Sequence, residues 1–132
     1  MERKKIVQLK GVSKIYDGET VLKNIDLDIY DNEFMTILGP SGCGKTTTLR
    51  IIAGFESPDG GEVYFDGVKI NDLPPYKRHI NTVFQKYALF PHLNVYENVA
   101  FGLRVAKVSD EEISSRVKEM LRLVNLSGFE KR

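Results

Sequence analysis

The chain has little cysteine, no tryptophan and no long apolar or like-charged run. Its 132 residues include one cysteine, Cys43, which excludes an intrachain disulfide and a zinc site built on several thiolates. No segment reaches the roughly 18 consecutive apolar residues of a membrane-spanning helix. The residues Met1–Lys5 lead into an alternating run rather than an apolar signal core. With 42% hydrophobic residues and a formal net charge of +1, the composition predicts one ordinary globular domain, a cytoplasmic setting and no nucleic-acid partner.

The first part of the chain has the pattern of half-buried strands. Residues 6–16 alternate between polar and apolar side chains with a break near Gly11, and residues 21–30 alternate again. The intervening Asp17-Gly18 is typical of a tight hairpin turn. These features predict an antiparallel layer at the front of the domain.

The most specific pattern is a glycine-rich run that matches G-x-x-x-x-G-K-[ST]. Residues 33–38 before it are typical of a short buried strand, and residues 45–53 after it predict a helix ended by Gly54. With both flanks present, the sequence predicts a nucleoside triphosphate site. The predicted binding residues are Gly39, Pro40, Ser41, Gly42, Cys43, Gly44, Lys45, Thr46 and Thr47.

The residue types in this loop suit the binding of an anion. Glycines bring backbone N–H groups close to the phosphates, and the start of the following helix adds the positive end of its dipole. We expect Lys45 to reach the β- and γ-phosphates and the Thr46 hydroxyl to bind Mg²⁺. Cys43 occupies a variable position of the motif and is interpreted as a small filler rather than a redox switch.

Further along the chain the signals are weaker. Residues 80–85 predict a buried strand beside that of residues 33–38, and residues 86–92 are irregular. Ser109 begins a capping box followed by about four turns of amphipathic helix, with Gly128 expected to end it. His79 and His92 have no second ligand at metal spacing, so we interpret both as packing or solvent-facing residues.

Three features around the loop distinguish between classes of P-loop protein. Tyr16 precedes the loop, Gln85 ends the run Asn-Thr-Val-Phe-Gln, and residues 87–103 follow it. Together they resemble the nucleotide-binding subunit of an ABC transporter over essentially the whole chain. Residues 81–103 are similar to the importers of polyamines, sugars and ferric iron, and the Asn-Thr-Val-Phe-Gln form favours the spermidine and putrescine importers. A soluble ABC protein acting on DNA or ribosomes, and a non-catalytic nucleotide-binding regulatory module, are the alternatives.

The resemblance implies an α/β fold of the P-loop NTPase class, specifically ABC ATPase-like, with an N-terminal antiparallel β layer. It implies that the chain is the front part of one nucleotide-binding domain, truncated before the signature and Walker B parts. Residues 1–85 would form the β layer and the P-loop core. Residues 86–132 would form the Q-loop region and the start of the helical subdomain.

The resemblance also implies roles for particular residues, with ATP and Mg²⁺ as cofactors. Tyr16 would stack on adenine, an interaction worth about 1–3 kcal/mol. Lys45 and Gln85 would act in catalysis, and Thr46 and Gln85 would lie at the metal. The amide of Gln85 can both accept a hydrogen bond from water and donate one to phosphate, which suits that position.

Partners follow from the same resemblance. Residues Tyr87–Asn98 would receive the transmembrane permease subunits, with Leu89, Phe90 and Tyr96 exposed in a loop; the alternative is that these side chains pack internally. The full-length protein would form a homodimer of nucleotide-binding subunits on the cytoplasmic face of the membrane.

Three elements that the family needs for hydrolysis do not occur in this sequence: the Leu-Ser-Gly-Gly-Gln signature, the Walker B aspartate with its neighbouring glutamate, and the switch histidine. We therefore expect this chain alone not to turn over ATP, although Tyr16, Lys45, Thr46 and Gln85 are all present. We also expect the helix over residues 113–124 to present an uncovered apolar face, which would favour self-association by exchange of an element between two chains.

Overall fold

The computed structural model describes residues 1–40, 42 and 44–132. Ser41 and Cys43, which belong to the predicted phosphate loop, lie outside the described residues. The chain divides into two compact units, Met1–Thr82 and Val83–Arg132. Each unit has its own hydrophobic core.

The first unit is built on a four-stranded antiparallel sheet with the strand order β2-β1-β3-β4. The predicted front layer is therefore confirmed. The Asp-Gly pairs at Asp17-Gly18 and Asp66-Gly67 form its hairpin turns, with φ angles of 49° and 82° in the first and 48° and 80° in the second. Asp and Gly tolerate this left-handed backbone, which matches the twist of the flanking strands. The strands are β1 (Lys5–Tyr16), β2 (Glu19–Tyr30), β3 (Gly60–Phe65) and β4 (Val68–Lys69).

The helix α1 (Lys45–Ala53) lies between β2 and β3 in the chain and ends at Gly54, as predicted. The N–H of Gly54 donates to the carbonyl of Arg50 at 2.9 Å, with Gly54 at φ 92°, so the helix ends in a left-handed cap. The apolar side of α1 packs on the sheet to form the core of the unit. That core contains Val7, Leu9, Val12, Leu22, Ile51, Ile52, Val63 and Ile70.

Arg78 joins the loop after β4, which includes a 3₁₀ turn at Pro75–Lys77, to the end of α1. Its Nη1 donates to the carbonyls of Ile51 at 2.9 Å and Ile52 at 3.1 Å, and its Nε donates to that of Leu73 at 2.8 Å. Burial lowers the pKa of the Arg78 guanidinium. A guanidinium remains charged even so, and a cation at the C-terminal carbonyls of a helix is stabilising.

The predictions of buried strands at residues 33–38 and 80–85 are wrong. Neither segment is a strand, and Phe34 and Val83 are 95% and 91% exposed. A strand is stabilised by its ladder and by a neighbour that covers its face. In the described part of the chain the sheet comprises the four antiparallel strands, and neither segment pairs with it.

The second unit contains two packed helices, α2 (Val95–Val105) and α3 (Asp110–Leu123). The predicted capping box of α3 is confirmed, since the Ser109 hydroxyl accepts from the N–H of Glu112 at 3.4 Å. The sequence analysis missed α2. Its signal was Asn94, whose side-chain oxygen accepts from the N–H of Glu97 at 2.8 Å and caps the helix.

The apolar face of α3 is more covered than expected. Ile113, Val117 and Leu121 are buried together with Ala100 of α2, while Met120 stays exposed. The helix ends before Gly128, so the prediction for that residue is wrong.

The left-handed residue after α3 is Asn125, with φ 59°. Asparagine tolerates this backbone better than most residues, which is why the helix ends there. Residues 86–92 are irregular, as predicted. Among the described helices, none has the length and apolar character needed to cross a membrane.

Candidate nucleotide-binding site

The start of α1 is open to an anion. Gly44 occupies the N-cap with φ 90° and provides no side-chain cap, and no described residue of the first turn is acidic. In contrast, α2 and α3 begin with side-chain caps and carry acidic residues in their first turns. Because the first N–H groups of a helix have no intrahelical acceptor, those of Lys45, Thr46 and Thr47 and the positive end of the dipole can serve a phosphate.

Gly44 also lets the loop approach β2 closely. A Cβ at this position would lie 2.6 Å from Cδ2 of Leu22 and 3.2 Å from the carbonyl oxygen of Val21. The positive φ would strain any other residue as well. Glycine is therefore required here by both the backbone conformation and the space.

Lys45 lies over the loop that precedes it. Its ammonium donates to the carbonyl of Gly39 and, at 2.9 Å, to that of Pro40. Charged phosphate oxygens are stronger acceptors for an ammonium than neutral carbonyls. The side chain is thus held at the loop with partners that a phosphate can replace.

The two threonines Thr46 and Thr48 differ in their surroundings. Thr48 is buried, and its hydroxyl donates to the carbonyl of Gly44 at 2.8 Å, which closes the first turn of the helix. Thr46 is exposed beside Lys45. An exposed hydroxyl beside a helix start that can accept an anion suits Mg²⁺, which takes few protein ligands and completes its octahedron with water and phosphate oxygens.

Tyr16 and described residues of the predicted phosphate loop line one cavity. The cavity has a volume of about 350 Å³, within the range typical of small-molecule sites. Tyr16 is 38% exposed at this cavity, although the sequence places it far from the loop. The lining residues are Tyr16, Val21, Gly42, Gly44, Lys45, Thr46 and Thr47.

Two residues that the sequence analysis missed hold the ring of Tyr16. The Tyr16 hydroxyl donates to Oε2 of Glu56 at 2.8 Å, and the ammonium of Lys14 lies 5.1 Å from the ring centroid. Lys14 also contacts Oε1 of Glu56 at 3.0 Å. The available signal was the strand period, because Lys14 and Tyr16 are two residues apart on one strand and therefore share a face.

The protonation states of these three residues depend on one another. The hydrogen bond to Glu56 raises the pKa of the Tyr16 phenol, and burial raises it further. The hydrogen bonds from Tyr16 and then Lys14 lower the pKa of the Glu56 carboxyl. The hydrogen bond to Glu56 also raises the pKa of Lys14 against the effect of burial. At neutral pH the phenol is neutral, and the carboxylate and the ammonium are charged.

Gln85 belongs to the second unit, whereas the described residues of the phosphate loop belong to the first. It is exposed in a turn of residues 85–88, in which Tyr87 and Ala88 have φ angles of 63° and 52°. Left-handed backbone costs residues of this kind about 1–2 kcal/mol each. Such strain persists where surrounding structure holds it, and it occurs preferentially at functional sites.

Asn98 organises the loop before α2. Its amide donates to the carbonyls of Phe90 at 3.2 Å and Leu93 at 3.1 Å, and its carbonyl oxygen accepts from the N–H of Phe90 at 2.9 Å. Leu89 is 71% exposed, and Phe90 is also exposed. Tyr96 is half-buried against the core of the unit, so the expectation that it is exposed is wrong and the alternative of internal packing holds for it.

An apolar cavity of about 680 Å³ adjoins this loop within the second unit. It is lined by Leu89, Phe90, Pro91, Leu93, Val95, Asn98, Val99, Met120, Leu121, Leu123, Val124, Leu126 and Arg132.

Comparison with known families now identifies the class of protein. The ABC transporter family matches residues 22–132. The chain belongs to the ABC transporter family. This result confirms the family predicted from the motifs around the loop.

Two curated relatives have the same name, spermidine/putrescine import ATP-binding protein PotA. The one from Desulfitobacterium hafniense (strain Y51) is 63% identical over 127 residues, which cover 96% of this chain and 36% of the relative. The one from Acetivibrio thermocellus is 59% identical over 132 residues, which cover 100% of this chain and 38% of the relative. The chain thus spans little more than a third of the length of these relatives.

Among solved structures, the chain is similar to the ATP-binding cassette MJ0796 in a dimeric post-hydrolysis state bound to ADP and Pi. The TM-score is 0.82 at 38% sequence identity, and the match covers 96% of this chain and 61% of that chain. A second dimeric structure of this bacterial ABC transporter cassette matches equally well. The similarity confirms the predicted class, an ABC ATPase-like P-loop fold with an antiparallel β layer.

Proposed function

We propose that this chain supplies the ATP-binding residues of an ABC import ATPase, and that the whole protein couples ATP binding and hydrolysis to the uptake of a small solute. The cavity that joins Tyr16 to the start of α1 carries this proposal, because it combines an aromatic ring for a base with a phosphate cradle. The names of relatives at 59% to 63% identity support a polyamine as the solute.

Within this proposal each residue has a defined task. The N–H groups at the start of α1 bind the phosphates, and Lys45 exchanges its carbonyl partners for β- and γ-phosphate oxygens. Tyr16 stacks on the adenine. The Thr46 hydroxyl would hold Mg²⁺ bound with ATP, and the metal would supply charge neutralisation at the phosphates. Gln85 is the proposed Q-loop residue, whose amide can accept a hydrogen bond from water and donate one to phosphate.

We propose a functional division in which residues 1–85 form the β layer and P-loop core and residues 86–132 form the Q-loop region and the start of a helical subdomain. This boundary lies three residues after the one between the two compact units, which falls between Thr82 and Val83. Residues Tyr87–Asn98 are the proposed contact for the transmembrane permease subunits, supported by the exposed Leu89 and Phe90. The whole protein then works as a dimer of nucleotide-binding subunits on the cytoplasmic face of the membrane.

A calorimetric titration with Mg-ATP tests the binding proposal. We expect saturable binding by the wild type and its loss in Lys45→Ala, because the substitution removes the only side-chain cation among the described residues that line the cavity. Lys23→Ala is the matched control, since it removes an exposed lysine of β2. Equal binding by the wild type and Lys45→Ala would contradict the assigned phosphate site.

A phosphate-release assay tests the lack of turnover. We expect the wild type to release no more phosphate than Lys45→Ala does, because the sequence contains neither the signature nor the Walker B pair. Lys45-dependent release would show that this chain alone hydrolyses ATP.

Uptake assays on the whole protein with labelled spermidine, a sugar and ferric iron distinguish the proposed solute from the alternative importers. Uptake of none of the three would favour a soluble ABC protein that does not transport.

A further inference from the structure

Lys14 is a charged residue inside the first unit, only 9% exposed. Its ammonium donates to the carbonyl of Ser57 at 2.9 Å and contacts Glu56 at 3.0 Å and Asp59 at 3.7 Å. The ammonium thus donates to one carbonyl and is paired with two carboxylates, of which Glu56 lies within hydrogen-bond distance. Lys14 is therefore not available to bind a phosphate, and its position over the Tyr16 ring needs another explanation.

We propose that Lys14 and Glu56 are positioning residues for the nucleotide base, which hold the Tyr16 ring with one face covered by the ammonium and the other face presented to the cavity. This inference rests on the proposed function, in which the cavity binds ATP. It assigns to two further residues a part in recognising the base rather than the phosphates.

The contacts give each residue a separate effect. Glu56 accepts a hydrogen bond from the Tyr16 hydroxyl at 2.8 Å, which fixes the position of the hydroxyl end of the ring. Lys14 occupies one face of the ring as a cation–π partner. Its charge draws electron density from that face, so the opposite face becomes a better stacking surface for an electron-rich purine.

The loop that carries Glu56 is fastened to the same strand as Tyr16. The N–H of Asp59 donates to the carbonyl of Ser13 at 2.8 Å, and its carboxylate accepts from the N–H of Ile15 at 2.7 Å. Glu56 lies two residues after Gly54, the residue that caps the end of α1. The Tyr16 ring and α1 are therefore held at a fixed distance from each other.

The sheet contains a matched control for this arrangement. The Tyr64 hydroxyl donates to Glu62, and the ammonium of Lys10 lies 4.6 Å from the Tyr64 ring centroid. This second Lys–Tyr–Glu group lies outside the cavity lining. Glu62→Ala thus removes the same kind of hydrogen bond without changing the proposed base contact.

Titrations with Mg-ATP and with inorganic tripolyphosphate plus Mg²⁺ test the proposal. We expect Glu56→Ala to weaken ATP binding by about three- to tenfold, the equivalent of one lost hydrogen bond and its ordering effect. Tripolyphosphate affinity should not change, since that probe has no base. Glu62→Ala should change neither affinity.

Two further variants separate the contributions of hydroxyl and charge. Adding Tyr16→Phe to Glu56→Ala should cause little further loss of ATP affinity, because both substitutions break the same bond. Lys14→Arg keeps a cation over the ring and should retain ATP affinity, whereas Lys14→Met should lose it.

The outcomes are distinct. Unchanged ATP affinity in Glu56→Ala, beside a wild type that binds ATP, would overturn this inference and leave the proposed function standing. Equal loss of ATP and tripolyphosphate affinity would show that Glu56 supports the whole site and not specifically the contact with the base. That result would also overturn this inference. A wild type that binds neither probe would contradict the proposed function itself.

Discussion

Replacement of Gly61 by alanine should destabilise the first unit through a clash between strands β3 and β1. Gly61 has φ 85°, and a Cβ there would lie 2.4 Å from the carbonyl oxygen of Gly11 and 2.6 Å from that of Lys10. Gly11 occupies the irregularity of β1, where the pairing with β2 shifts between Leu9 and Val12. Backbone atoms cannot rotate away as a side chain can, so the two strands must separate.

Gly67 provides the matched comparison. It has a similar φ of 80°, but a Cβ there would meet no atom within 4 Å. Left-handed backbone costs an L-residue about 1–2 kcal/mol, and both substitutions incur this cost. Overpacking adds about 1–3 kcal/mol at Gly61 alone. We therefore expect Gly61→Ala to cost about 2–5 kcal/mol in total.

Urea unfolding followed by far-ultraviolet circular dichroism measures the difference. With slopes of about 1–3 kcal/mol per molar urea for small proteins, the midpoint of Gly61→Ala should lie about 1 M below that of Gly67→Ala. Because β1 carries Lys14 and Tyr16, Gly61→Ala should also weaken ATP binding more than Gly67→Ala does. Equal midpoints for the two variants would refute the argument from close strand approach.

Three further predictions concern other contacts. Arg78→Lys should lower the free energy of unfolding by about 2 kcal/mol, because an ammonium cannot reproduce the planar guanidinium that binds carbonyls of α1 and of the loop after β4. An unchanged thermal midpoint would contradict this. Ser109→Ala should cost about 1 kcal/mol by removing the cap of α3 and should reduce helical ellipticity, and equal melting curves would show that the cap is dispensable. The pKa of Glu56 is lowered in the folded state, so its contribution to stability is present above its unfolded pKa and is lost as the pH falls through its folded pKa. The pKa values of Tyr16 and Lys14 are raised in the folded state, so their contributions are present below their unfolded pKa values and are lost as the pH rises through their folded pKa values. The stability difference between wild type and Glu56→Ala should therefore be constant from about pH 5 to pH 9 and shrink on both sides, and a difference independent of pH would exclude this linkage.

Local physics made several features predictable from the sequence alone. The helix α1 begins after a glycine loop and ends at Gly54, and both limits depend on backbone conformations that neighbouring residues set. The Asp-Gly hairpin turn at Asp17-Gly18 and the capping box at Ser109 are equally local. The glycine-rich motif and the helix after it predict a phosphate site, and of the two flanking elements expected from the sequence only the helix is present.

Features that depend on contacts between distant parts of the chain could not be predicted from the sequence. Residues 33–38 and 80–85 have the composition of buried strands but remain unpaired, because a strand is stable only with a neighbour for its ladder and a cover for its face. The contact between Tyr16 and Glu56 joins residues 40 positions apart, and no local pattern indicates it. The motif that predicts a phosphate loop and the residues that indicate the family lie within short segments, so both predictions can be made from the sequence. Which residues hold the Tyr16 ring at the cavity depends on the packing of β1 against the loop after α1, because that packing brings together residues that are distant in the chain.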